Sequence, residues 1–201
     1  MKTAQDFYEL TDAVGAKFGS SQAPSARNDA IRLKRLASRF RGNWNYPNAV
    51  HVANLALGRA CLSRGDVKGA ERYLLRSTEA EGSRQMQAFG PNTLLALELL
   101  EAGRVKVVLE FLSRCTRFWR IGGSTLATWI AQIERGKIPN FGPNLVYLTD
   151  PATNNRAKPA RLDAKTKRML AKLEQMTPGD QIWFLQSQSP RRPRDRTRKK
   201  P

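Results

Sequence analysis

The side chains able to do chemistry are few. His51 is the only imidazole in 201 residues, and Cys61 and Cys115 are the only thiols. A His–Cys pair would suit nucleophilic catalysis, with the imidazole taking the thiol proton. On one helix, His51 and Cys61 stand ten residues apart, about 15 Å at 1.5 Å per residue, which is too far for a dyad. Spacing leaves Cys115 open as a partner for His51, but no third residue is placed to orient the base. A metal site would need carboxylates clustered with these residues, and the pattern does not cluster them. The chain also lacks a G-x-x-x-x-G-K-[ST] loop, a G-x-S-x-G elbow and a C-x-x-C pair. The expectation is a protein that is not an enzyme, with no catalytic residues, no cofactor and no metal.

Gly122-Gly123-Ser124-Thr125, beside Arg120, fits an anion held on the exposed N–H groups of a helix start. The simpler reading is a turn followed by a Ser124 N-cap. "FGPN" occurs twice, at 89–92 and 141–144. One reading is a repeated loop that presents Asn92 and Asn144. The other, which we favour, is a helix-entry turn with proline in the first helical position.

Charge says more than catalysis does. The formal net charge is +18, and residues 151–201 hold 14 Lys/Arg against 4 Asp/Glu. Residues 51–100 are nearly neutral, with 6 Lys/Arg against 5 Asp/Glu. A folded core with a cationic extension follows, rather than a uniformly basic fold. The last segment, "SPRRPRDRTRKKP", cannot bury enough apolar surface to offset its ordering entropy, so a disordered basic tail is expected. Its Arg191, Arg192, Arg194, Arg196, Arg198, Lys199 and Lys200 are candidates for binding a polyanion such as nucleic acid. No aromatic RNA-binding motif or zinc finger turns that charge into sequence readout.

The opening "MKTAQDFYELTDAVG" carries three acids where a signal peptide needs an apolar run. "LLALELL" is far too short to span a membrane. Two cysteines are too few for a disulfide scaffold, and a reduced, cytoplasmic protein is expected.

The elements that must position these residues read as helices. Phe7, Leu10, Val14 and Phe18 line one face of a first helix. A second runs over 27–41, with Ile31 or Leu33, Leu36, Ala37 and Phe40 inward, Arg32, Lys34, Arg35, Arg39 and Arg41 outward, and Gly42 to end it. Helices at about 48–63 and 67–79 flank a turn in which Gly65 takes positive φ and Asp66 caps the next helix. The plan recurs around Gly103, 38 residues later, with helices ending near Glu101 and Trp119. A further helix, Ser124 to Arg135, turns Leu126, Trp129, Ile130 and Ile133 to one side, as a terminal cover would.

Leu57-Gly58, Ala70 and Leu74, with the looser set Leu95-Ala96, Val108 and Leu112, resemble the tetratricopeptide pattern of paired helices. In that pattern Gly58 lets the partner helix approach and Ala70 faces back. The resemblance implies an all-α fold: a short right-handed array of antiparallel helical hairpins over 47–148, similar to small bacterial proteins of this kind. Helices in 1–46 would pack on or cap it, and 149–201 would form a basic linker, a possible helix and the tail. It also implies a scaffold that binds another protein or peptide in a groove. On this sequence the groove candidates are Val52, Leu55, Arg59, Leu62, Thr93 and Leu97, with Leu100 beside them. A nucleic-acid-associated protein using the basic helix 27–41 and the tail is the alternative.

Overall fold

The computed structural model describes residues 3–19, 25–145 and 147, and these form eight α-helices and one 3-10 turn with no strand among them. α1 (Ala4–Gly19) begins at a reciprocal cap. The Thr3 amide donates to Asp6 at 2.6 Å, while the Asp6 amide donates to the Thr3 hydroxyl at 3.2 Å. Phe7, Val14 and Phe18, spaced to one face, are fully buried. In α2 (Ala26–Ala37) the apolar face is Ala26, Ala30, Leu33, Leu36 and Ala37, and Lys17 of α1 pairs with Asp29 at 2.6 Å. The second helix thus ends at Ala37 rather than running to Gly42. Phe40 must leave the helix to stack on Phe7, ring centroids 4.9 Å apart and planes at 7°.

α3 (Tyr46–Leu62) starts with Pro47 in its first turn, where a missing N–H costs nothing, and is almost wholly buried. α4 (Val67–Arg76) follows a turn in which Gly65 has φ +78° and the Asp66 carboxylate accepts from the Gly69 amide at 2.8 Å. Gly58 is a contact point. A Cβ there would lie 2.3 Å from Leu95 Cδ2 and 3.4 Å from the Ala70 carbonyl oxygen.

α5 (Arg84–Phe89) is short and begins where the Ser83 hydroxyl accepts from the Met86 amide at 3.0 Å. α6 (Leu94–Glu101) and α7 (Val105–Cys115) meet at Gly103, φ +73°. α8 (Gly123–Glu134) buries Leu126, Trp129 and Ile133, and its N-cap is Gly122, with no side-chain cap bond from Ser124. The 3-10 turn is Gly142–Leu145.

Consecutive helices pack in pairs, α1 on α2, α3 on α4 and α6 on α7, with α8 against α7. α3 is the hub, packing also on α2, α1 and α6, and α4 bridges to α6 and α7. One hydrophobic cluster runs through all of them, from Phe7 and Leu33 through Leu55 and Leu74 to Phe111 and Trp129. Each such side chain contributes roughly 1.5–3 kcal/mol by leaving water. No helix among the described residues is long and apolar enough to cross a membrane.

Candidate functional site

The groove candidates come together, but around a filled space. Val52, Leu55 and Thr93 are buried, Leu100 is nearly so, and Leu62 and Leu97 are half-buried against the core. α1 and α2 pack on the α3 hub that carries four of them. Arg59 is engaged with its own chain. Its guanidinium reaches Glu98 of α6 through Nε at 2.9 Å and Nη2 at 2.7 Å, and Nη1 donates to the Phe18 carbonyl. Its Cζ also lies 5.5 Å from the centroid of the Phe18 ring. The leucine spacing marks faces that are buried and does not tell which helix covers them. The basic-tail candidates, Arg191 to Lys200, lie outside the described residues.

The two FGPN motifs find each other. Asn144 donates to the carbonyls of Phe89 and Pro91, at 2.9 Å each, and its own carbonyl accepts from the Thr93 amide at 2.9 Å. Asn92 in turn donates to the carbonyls of Tyr147 at 2.6 Å and Leu145 at 3.3 Å, and its Oδ1 accepts from the Leu94 amide at 2.8 Å. Both asparagines are buried, so neither is presented to a partner. Pro91 and Pro143 do not open α-helices: α6 starts three residues past Pro91, and Pro143 sits inside the 3-10 turn. Gly90, at φ +82°, lies so close to Trp119 and Asn144 that a Cβ would stand 2.6 Å from the indole ring and 2.8 Å from the amide nitrogen.

His51 closes this clasp. The Ser77 carbonyl, which can only accept, lies 3.0 Å from Nδ1, so Nδ1 carries the proton. The Asn92 amide donates to Nε2 at 3.0 Å. Both ring nitrogens therefore serve the backbone, and neither is left for a thiol. Burial holds the imidazole neutral and pushes its pKa down to about 4. Cys61 and Cys115 are free, buried thiols whose pKa values burial raises.

An open concavity lies elsewhere among the described residues. A cleft of about 540 Å³ lies between the end of α2, the start of α3 and the segment 79–82. Its lining includes apolar Ala37, Pro47, Val50 and Ala80, and Tyr46 and Asn54 add polar groups. Lys34 and Arg41 line it from the α2 side, Glu79 and Glu81 from the other segment. Lys34 is held in place. Asn54, itself buried, spends its amide hydrogens on the carbonyls of Val50 and Arg76 and offers Oδ1 to Lys34 Nζ at 3.0 Å. The ammonium also stands 5.6 Å from the Tyr73 ring centroid. Burial first, and Arg76 second, lower its pKa, while Glu79 works against them.

The facing wall is anchored as well. Arg117 donates to the Thr78 carbonyl at 2.8 Å, and Gly82, at φ +90°, sits so close to Phe118 that a Cβ would lie 2.5 Å from Phe118 Cβ. Sequence reasoning placed Lys34 among outward cations of a helix and missed the cleft. The polar Asn54 at a core position of α3 is the signal that could have found it. No protein-family model, no curated protein and no solved structure matches this chain.

Proposed function

We propose that the chain is a non-enzymatic scaffold, a short tetratricopeptide-like array of helical hairpins, that binds a segment of another protein in the cytoplasm. The pairing of α1–α2, α3–α4 and α6–α7, and the close approach of Gly58 to Ala70 and Leu95, support the hairpin reading. The observation that carries the binding reading is the charge division of the cleft. Lys34, whose ammonium is fixed by Asn54, and Arg41 line it from one segment, Glu79 and Glu81 line it from another, and apolar side chains share the lining. An extended segment with an acidic and a basic side chain flanking an apolar one matches all three features. The groove around Val52, Leu55, Arg59, Leu62, Thr93 and Leu97 then acts as the packed base of the scaffold rather than as the contact surface.

Selection from a random peptide library on the full chain tests this. Enriched peptides should carry acid and base around an apolar residue. They should lose about tenfold or more in affinity with Lys34→Glu, since a like charge then faces the ligand's acid. Failure to enrich any peptide refutes the scaffold. Enrichment that Lys34→Glu and Glu79→Lys both leave unchanged refutes the cleft.

A further inference from the structure

α2 divides its residues cleanly. Ala26, Ala30, Leu33 and Ala37 face the core, whereas Asn28, Arg32 and Arg35 recur at intervals of three and four on the exposed side, and Arg39 is exposed in the turn just past the helix end. Arg27 is also exposed, in the first turn of the helix and off that line, and the one acid in this stretch, Asp29, is already paired with Lys17 and Arg32. Neighbouring positions on such a stripe lie about 5–6 Å apart, a spacing suited to successive phosphates of one strand.

The helix leads through a tight turn, with Arg39 and Phe40 amides bonded to Leu36 and Ala37 carbonyls, to Trp44 five residues after Arg39. Trp44 is 59% exposed, yet it is not loose. Its ring lies 5.5 Å from that of Tyr8, which in turn lies 5.9 Å from buried Phe7. The Asn43 side chain fixes the Tyr8 hydroxyl at 2.8 Å. A large aromatic face kept in water and held by a braced neighbour is a surface on which a base can stack.

We propose that the exposed face of α2 and Trp44 form a binding surface for single-stranded nucleic acid. Arg27, Arg35 and Arg39 contact phosphates, and Trp44 stacks on a base. An acidic protein would satisfy the arginines by charge alone, whereas a single strand offers both phosphates and free base faces for the indole, and a duplex keeps its base faces stacked inside. The surface shares no residue with Lys34, Glu79 or Glu81 of the cleft, so the two proposals stand or fall separately.

The test uses the full chain and a fluorescent single-stranded oligonucleotide of about 15 nucleotides, near the upper site size of a single-strand binder. A duplex of equal length and heparin serve as competitors, over a salt series. Single strand should bind more tightly than duplex. The triple variant Arg27→Gln, Arg35→Gln, Arg39→Gln should lower the slope of log K against log salt by about 2, at roughly 0.7 per lost phosphate contact. Trp44→Ala should weaken single-strand binding about tenfold with the salt slope unchanged, and Trp44→Phe should restore most of the loss. Circular dichroism verifies that each variant keeps its helix content. The proposal is overturned if the wild type does not bind at low salt, or if the triple variant binds like the wild type, which would place the affinity on other cations. It is equally overturned if Trp44→Ala has no effect and heparin and duplex compete as well as single strand, which would mark a general polyanion or acidic-protein surface.

Discussion

Acid should loosen this protein well above the usual carboxylate range, and His51 is the reason. In the unfolded chain the imidazole titrates near 6.5, whereas in the fold burial keeps it neutral down to about 4. A proton on Nε2 would also point at the Asn92 amide, a donor 3.0 Å away, and cost that bond. Because the folded pKa is the lower one, the unfolded state binds the extra proton first, and stability falls as pH drops from 6.5 toward 4. At 1.36 kcal/mol per pH unit the full loss is about 3 kcal/mol, a large share of the roughly 5–15 kcal/mol of a typical domain. In melting temperature this is on the order of 10 °C. Thermal and urea unfolding at steps from pH 7.5 to 4.5 measure it, with His51→Gln as the reference. The variant is less stable at every pH, since it fits the two backbone groups less well, but its stability should be nearly flat across the window. The carboxylates do not mimic the effect. Asp29, lowered by its bond to Lys17, and Asp66, lowered by the Gly69 amide, lose their contributions only further down, and Asp12, raised by burial, works in the opposite direction. Equal pH slopes in wild type and His51→Gln, or an NMR titration of His51 centred near 6.5, would refute the reasoning.

Asn92→Ala should cost about 2–4 kcal/mol in urea unfolding, because the carbonyls of Leu145 and Tyr147 and the amide of Leu94 all lose a buried partner. It should leave the pH response intact, since His51 uses the Asn92 backbone. Gly90→Ala places a Cβ against Trp119 at a backbone angle reserved for glycine, and a loss of about 2–4 kcal/mol is expected, with Trp119 fluorescence reporting the displaced loop. Arg59→Met should cost about 2 kcal/mol by leaving the part-buried Glu98 carboxylate without its guanidinium, and adding Glu98→Leu should recover part of it. A double variant no more stable than the single would show that the pair itself, rather than the orphaned charge, carries the energy.

What was legible in the sequence is what local chemistry specifies. The face of Phe7, Val14 and Phe18, the positive-φ turns at Gly65 and Gly103, the Asp66 cap, and Gly58 facing Ala70 each follow from spacing or from a single residue's conformational freedom. What escaped depends on partners far away in the chain. α2 stops at Ala37 because Phe40 is needed by Phe7, 33 positions earlier. Six residues, "RQMQAF", are too few to show a period, so α5 was invisible in the sequence. The FGPN pair looked like two entry turns because nothing local tells an asparagine that its acceptors lie 53 and 55 positions away. Leucine periodicity in α3 reports burial but not the identity of the covering helix, and so a face packed by α1 and α2 read as a groove.

The asparagines also explain why the cleft has a defined shape. Loops between helices carry backbone groups with no helical partner, and burying them requires a side chain that both donates and accepts. Asn54 stitches α3 to the end of α4 and aims Lys34. Asn48 joins Ser83 at 2.6 Å and Gln85 at 2.8 Å to the start of α3, just past the 79–82 wall. Asn92 and Asn144 lock the next two loops to each other and, through the Asn92 amide, to His51, whose other nitrogen holds Ser77 at the base of that same wall. Both walls of the cleft are thereby fixed before any partner arrives. In the proposed binding mode a segment docking there would give up its own freedom without having to order the scaffold, an entropy saving that favours selective binding. The acid sensitivity of His51 reaches the same wall through Ser77. In the proposed binding mode, loss of the clasp and loss of segment binding should therefore coincide on lowering the pH.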